Sequence, residues 1–174
     1  MRIIAGVWGG RRLQPLKGRH VRPTTDRVRE AWMSAMGPSV QGAIVLDLFA
    51  GSGALGLETL SRGAASVTAV EQASSAVRVI EANVRALDAG DRHRTVRGDV
   101  FRFLQRLEEP VDLALADPPY GTGDAVRLVE DFLKRPFARE LWLEHPVREA
   151  LPVPDEARTR RYGDTAITTI VADS

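Results

Sequence analysis

The stretch Ile44-Val45-Leu46-Asp47-Leu48-Phe49-Ala50-Gly51-Ser52-Gly53-Ala54-Leu55-Gly56 decides the fold. Residues 44–49 are apolar except for Asp47, the pattern of a strand covered on both faces. Gly51 and Gly53 let the backbone turn sharply and come close to a ligand. The residues that follow predict a helix over 54–62, whose first N–H groups point back at that ligand. Asp47 falls near the carboxyl end of the strand, where open α/β sheets bind ligands. A carboxylate there is costly unless something satisfies it.

Strands and helices alternate outward from this unit. Ser66 to Glu71 predicts a second strand, and Ala73, Val77, Ile80, Val84 and Leu87 mark one face of a helix. A short strand at 94–97 and a helix marked by Val100, Leu104 and Leu107 follow. Then come a strand at 112–117, a helix marked by Val126, Val129 and Leu133, and a short strand at 141–144. Residues 158–162 and 166–171 predict an antiparallel pair around Gly163-Asp164. Repeated βα units imply right-handed crossovers and a mostly parallel sheet with helices on both faces. The expected fold class is α/β, a Rossmann-like sheet of seven strands with an antiparallel C-terminal strand.

Ahead of that body, Arg2 to Gln14 alternates loosely and breaks at Gly9-Gly10, as a hairpin does. Thr24-Thr25-Asp26 supplies a helix N-cap, and Val28, Trp32 and Ala35 share one face of a helix ending before Gly37-Pro38. Trp32 reads as core; Arg27 and Arg29 lie off the stripe and could face solvent or ligand. The expected organisation is an extension over 1–40 and a main domain over 41–174.

Charge separates the same two parts. The net charge is +1, but residues 1–30 carry eight basic and two acidic side chains, so +6 stands in front of −5. A basic arm on a near-neutral body suggests a polyanionic partner, although a solvated basic terminus would look the same. With 44% apolar residues the 174-residue chain can build a sizeable core. Zero cysteines exclude disulfides and thiolate chemistry, and three scattered histidines argue against a zinc site. No apolar run spans a bilayer and the N-terminus lacks a signal-peptide plan, so a cytoplasmic location is expected, with no membrane partner and no metal.

In a parallel sheet all carboxyl ends share one edge. That edge should gather Asp47, the glycine turn, Glu71, Asp99 and Asp117-Pro118-Pro119-Tyr120. Gly51-Ser52-Gly53-Ala54-Leu55-Gly56 also fits a dinucleotide fingerprint, with Glu71 twenty residues after Gly51 to hold a ribose. A nicotinamide oxidoreductase is therefore a rival reading. Against it, Asp47 would repel a pyrophosphate but suits a cationic amino-acid group. The prolines of Asp117-Pro118-Pro119-Tyr120 remove two N–H donors and leave an acceptor-rich corner: the Asp117 carboxylate and the Pro118 carbonyl. An exocyclic base amine fits there, and both acceptors stabilise the charge it develops on attack. Tyr120 offers a face for a base taken out of its stack.

Asp47-Leu48-Phe49-Ala50-Gly51-Ser52-Gly53 and Asp117-Pro118-Pro119-Tyr120 resemble motifs I and IV of class I S-adenosylmethionine-dependent amino-methyltransferases. Met1-Arg2-Ile3-Ile4-Ala5-Gly6, residues 22–31 (RPTTDRVREA), Leu55-Gly56-Leu57-Glu58, Ser61-Arg62-Gly63-Ala64 and Arg161-Tyr162-Gly163-Asp164-Thr165 extend the likeness to the RsmD family, over nearly the whole chain. That family methylates the N2 amine of guanine at position 966 of 16S ribosomal RNA. Two departures stand out: Gly9-Gly10, where the family often has a basic residue, and an abbreviated stretch over 136–154.

The resemblance implies roles. Asp47, Phe49, Ala50, Gly51, Ser52 and Gly53 would hold the methionine part of S-adenosylmethionine, and Glu71, with Gln72, its ribose. Asp99 and Val100 would face the adenine. Arg22 and Thr24 would close over the cofactor. Asp117, Pro118, Pro119 and Tyr120 would hold and stack the guanine. Arg11, Arg12, Lys17, Arg19, His20 and Arg22 would grip RNA, in a monomer acting on 16S rRNA within the 30S subunit. S-adenosylhomocysteine would be the product. An N6-adenine or protein-glutamine methyltransferase would share the same corner, and a non-enzymatic RNA-binding module would need only the basic arm.

Overall fold

The computed structural model describes residues 1–17 and 26–173. Seven strands form one sheet: β1 (Ile44–Leu48), β2 (Ser66–Glu71), β3 (His93–Arg97), β4 (Val111–Ala116), β5 (Ala138–Pro146), β6 (Arg158–Tyr162) and β7 (Thr165–Val171). Their order is β3-β2-β1-β4-β5-β7-β6. The first five are parallel; β7 runs antiparallel between β5 and β6. The helices are α1 (Asp26–Met36), α2 (Ala54–Ser61), α3 (Ser74–Leu87), α4 (Val100–Gln105) and α5 (Asp124–Lys134). Strand order reverses between β1 and β4, and a ligand crevice opens at the carboxyl ends of such a pair.

Alternation along β1 explains the layers. Val45 packs with Trp32, Met36, Leu57 and Leu115 under α1 and α2. Leu46 and Leu48 pack with Leu104, Leu128 and Phe132 under α4 and α5. Both faces are therefore dry, as a central parallel strand requires. Asp47 is on the first of these faces, at the end nearest the crevice.

The N-terminal segment is docked, not free-standing. Ile3 and Leu13 join the core that contains Trp32 and Val45. Glu58, fully buried on α2, accepts the Ile4 and Ala5 N–H groups at 2.8 and 3.1 Å. Ser61 donates to the Ala5 carbonyl and accepts from the Trp8 N–H. Instead of a laddered hairpin, this segment makes a single bridge between Arg2 and Arg12 around a run of turns. The two arms still pair, Ile3 N–H to the Arg11 carbonyl at 2.9 Å and Leu13 N–H to the Met1 carbonyl at 3.0 Å, while the N–H groups of Ile4, Ala5 and Trp8 go to α2.

Three other expectations shift. On α5 the buried face is Ala125, Leu128, Val129 and Phe132, whereas Leu133 is half exposed. The apolar stripe is rotated by one residue because Phe132 carries the packing. Strand β5 covers nine residues instead of four. Pairing with both β4 and β7 holds its polar ends, Arg139-Glu140 and His145-Pro146, in the sheet. On α1, Arg29 is fully buried against the cleft, which settles the choice between solvent and ligand against solvent. The expected cap at Thr24-Thr25 lies outside the described residues.

Candidate active site

The crevice at the β1/β4 reversal is a cleft of about 1360 Å³ among the described residues. Its walls include Asp47, Phe49, Ala50, Gly51, Ser52, Glu71, Gln72, Val100 and Asp117-Pro118-Pro119-Tyr120. The sheet edge thus brings together the main sites singled out in the sequence. The volume exceeds the few hundred Å³ of a single small-ligand pocket, so one nucleoside and one base fit together.

The glycine turn is built for a close approach. Phe49 sits at φ 57°, Gly51 at φ 57° and Gly53 at φ 76°. Phe49 is the strained member, because a non-glycine side chain in this region costs energy and such strain clusters at ligand sites. A Cβ on Gly53 would lie 3.2 Å from Ile80, and one on Gly56 would lie 2.9 Å from an Asp47 oxygen. Gly53 itself lies beneath the turn and caps α2 by conformation instead of lining the cleft.

Three carboxylates stand around the turn. Asp47, 2% exposed, accepts the Gly56 N–H at 3.0 Å. That N–H at the start of α2 therefore serves the protein rather than a ligand. Burial raises the Asp47 pKa from 3.8 to about 8; the Gly56 hydrogen bond opposes this, and the Asp117 and Glu71 charges add to it. Glu71 bridges the Gly51 and Ala73 N–H groups, each at 2.9 Å. Asp117 leaves the end of β4, where its N–H reaches the Leu48 carbonyl at 3.4 Å. A cation bound among these carboxyl groups would favour the ionised form of Asp47, so the cluster suits a cationic ligand.

Asp99 is placed otherwise. Its side chain caps α4 by accepting the Arg102 N–H at 2.9 Å, and it is absent from the cleft wall, whereas its neighbour Val100 is part of it. Arg11 reaches the Ala86 carbonyl near the end of α3, a favourable seat for a cation. Arg12 and Lys17 are exposed. Arg19, His20, Arg22 and Thr24 lie outside the described residues. No group of three or more His, Cys, Asp or Glu suited to a metal ion occurs among the described residues.

Further residues build the cleft. Arg29, which the sequence left between solvent and ligand, is 1% exposed and lines the cleft. One Nη binds Asp26 and the Arg2 carbonyl, and its Nε and other Nη have no partner among the described residues. Two such buried guanidinium nitrogens beside a cleft fit a ligand carboxylate. Asn83, fully buried on α3, ties Gln14 to the Ser52 carbonyl and so fixes the N-terminal segment against the glycine turn. Glu144, at the end of β5, and residues 162–165 of the β6–β7 turn form the far wall. Tyr120 is 37% exposed, and its hydroxyl meets Glu144 at 3.3 Å and Thr165 at 3.0 Å. Glu144 carried no motif, and Arg29 lies in the 22–31 motif with no role assigned to it; placement on the crevice marks both.

Comparison with known proteins agrees with this geometry. The family model described as conserved hypothetical protein 95 matches residues 1–171. Ribosomal RNA small subunit methyltransferase D of Escherichia coli is 37% identical over 155 residues, covering 87% of this chain and 78% of that one. YlbH of Bacillus subtilis is 37% identical over 177 residues, 96% of each chain. The solved structure of YhhF from Escherichia coli superposes with a TM-score of 0.83 at 33% identity, over 97% of this chain and 96% of that one.

Proposed function

The chain belongs to the family described as conserved hypothetical protein 95, the RsmD family of ribosomal RNA methyltransferases, and from that premise we propose which atom it methylates and how. It is an S-adenosylmethionine-dependent rRNA methyltransferase. We infer that the acceptor is the N2 amine of a guanine in small-subunit 16S rRNA. The observation that carries this is the meeting of Asp47, Glu71 and the Asp117–Tyr120 corner on one cleft.

The residues divide the work by chemistry. Asp47 faces the ammonium of the methionine part, and the Arg29 Nε and Nη1, which have no partner among the described residues, take its carboxylate. Glu71 already spans the glycine turn and takes the ribose hydroxyls; Gln72 and Val100 flank the nucleoside, next to Asp99. When bound, the cofactor supplies an electrophilic methyl on a sulfonium. Asp117 and the Pro118 carbonyl each accept one N–H of the guanine amine, and draw its lone pair out of conjugation with the ring. Tyr120 stacks on the base, with Pro119 shaping the turn. With the cofactor bound, the amine would attack its methyl in line as the S–CH3 bond breaks, the thioether of S-adenosylhomocysteine would leave and the methylated amine would give up one proton to solvent, so positioning carries most of the rate. Arg11, Arg12, Lys17, Arg19, His20 and Arg22 of the first 40 residues grip RNA phosphates, and Arg22 and Thr24 close over the cofactor. The chain works in the cytoplasm as a monomer on the 30S subunit.

The test is to incubate the protein with labelled S-adenosylmethionine and small subunits lacking the modification, then map the methylated base. Label at a guanine N2 is expected. Label on an adenine N6, on protein, or nowhere rejects the proposal.

A further inference from the structure

We propose that Glu144 is a specificity-determining residue whose carboxylate accepts the N1–H of the target guanine. This rests on the guanine-amine reading above and goes beyond it, because it says how the cleft tells guanine from adenine.

Placement is the first argument. Ala116 of β4 pairs with Leu143 of β5, so the next residue on each strand is Asp117 on one and Glu144 on the other. The two carboxyl groups emerge side by side from the crevice edge, and both line the cleft. Glu144 lies two residues after Trp142 and so shares its face of β5, the one that carries Asp47 and α1.

Orientation is the second. Glu144 is 5% exposed. Trp32 Nε1 donates to one of its oxygens at 3.3 Å, and the Tyr120 hydroxyl donates to the other at 3.3 Å. Thr165 holds the Tyr120 hydroxyl from the far side at 3.0 Å. The plane of the carboxylate is therefore set by the same tyrosine on which the base stacks.

Complementarity is the third. The guanine edge presents two neighbouring kinds of donor, the N2 amine and N1–H. Asp117 with Pro118 accepts from the first, and a second carboxylate beside them accepts from the next. Adenine presents an acceptor at N1, and two acceptors facing each other lose the bond and repel. A site built around a donor rejects the analogue that lacks it.

The experiment uses small subunits reconstituted from ligated 16S rRNA, with the mapped nucleotide as guanine, 2,6-diaminopurine or 2-aminopurine. All three carry the 2-amine. The last two lack N1–H and differ from each other at C6, so a penalty common to both reports on N1. Initial rates are measured for wild type and Glu144→Gln, together with S-adenosylhomocysteine affinity and the melting midpoint of each protein. Wild type is expected to prefer guanine over both analogues by about ten- to a hundred-fold. Glu144→Gln is expected to lose rate on guanine and to narrow that ratio, because an amide can donate to an acceptor N1. Equal wild-type rates on guanine and both analogues overturn the proposal, whatever the variant does. A variant that slows on all three with the ratio unchanged makes Glu144 a brace for Tyr120 and Trp32, and also overturns it. Failure of wild type on guanine itself brings down the guanine-amine reading and this inference together.

Discussion

Glu71 holds the Gly51 N–H at 2.9 Å, a link from the end of β2 to the glycine turn after β1. One carboxylate thus shapes the turn and presents its remaining acceptor capacity to a nucleoside. Glu71→Ala removes both functions. Cofactor affinity is expected to fall by about ten- to a hundred-fold, the worth of hydrogen bonds to a charged group. Calorimetric titration with S-adenosylhomocysteine checks this, and wild-type affinity would contradict it.

Asp47 makes the protein pH-dependent. Its folded pKa of about 8 lies above the ordinary 3.8, so the folded protein keeps a proton that the unfolded chain releases in between. The stability that this site contributes is complete below about pH 4 and is lost as pH rises through about 8. Asp47→Asn is expected to raise the melting midpoint of the free protein at pH 8–9, since no buried charge forms. A bound ammonium favours the ionised carboxylate, so ligand binding near pH 7 should release a proton from wild type but not from the variant. Calorimetry in buffers of different ionisation enthalpy reads this directly.

Asp117 differs from both in acting on the second substrate. Asp117→Ala leaves the glycine turn, Glu71 and Arg29 in place. It is expected to keep S-adenosylhomocysteine affinity within a few-fold and to lose about two to three orders of magnitude in methyl transfer. Single-turnover rates on unmodified small subunits check this, and unchanged turnover would reject the role given to this carboxylate.

The sequence made the sheet and its ligand edge legible because local patterns dictate both. Residues 44–56 hold a strand, a turn and a helix within one window, and Asp117-Pro118-Pro119-Tyr120 fixes its own shape. Arg29 was only half legible, left between solvent and ligand, and Glu144 was not legible. Arg29 is off the apolar stripe of α1 and becomes a cleft residue only because Asp26 and the Arg2 carbonyl fold back onto it. Glu144 matters through Trp32, 112 residues away, and no local pattern encodes that contact. Asp99 misled in the opposite sense: an acidic residue at a strand end also suits a helix N-cap, and here its carboxylate caps α4.

Glu58 tests whether the N-terminal segment depends on its seat. It is fully buried, accepts two backbone N–H groups and pairs with Arg62 at 2.9 Å. Glu58→Ala leaves those donors and the arginine without their partner, at a cost of about 3 kcal/mol or more. Urea unfolding is expected to show this loss, with proteolysis entering first among residues 1–17. Loss of stability without early cleavage there would mean that the segment is held by Ile3 and Leu13 instead.

Arg12 and Lys17 are exposed cations of the described N-terminal segment, as is Arg2, whereas Arg11 is engaged with the Ala86 carbonyl. If the first two neutralise phosphates, each releases condensed counterions and adds about 0.7–0.9 to the slope of log affinity against log salt. Arg12→Ala with Lys17→Ala should therefore flatten that slope by about 1.5 and weaken binding at low salt. Arg11→Ala should cost fold stability at the α3 end and change the slope less. Filter binding to 16S rRNA across a salt series separates the two. An unaltered slope in the double variant would move the RNA grip off this segment and onto another basic surface, for which the exposed Arg158, Arg160 and Arg161 of β6, a strand that reaches the cleft wall at Tyr162, are candidates.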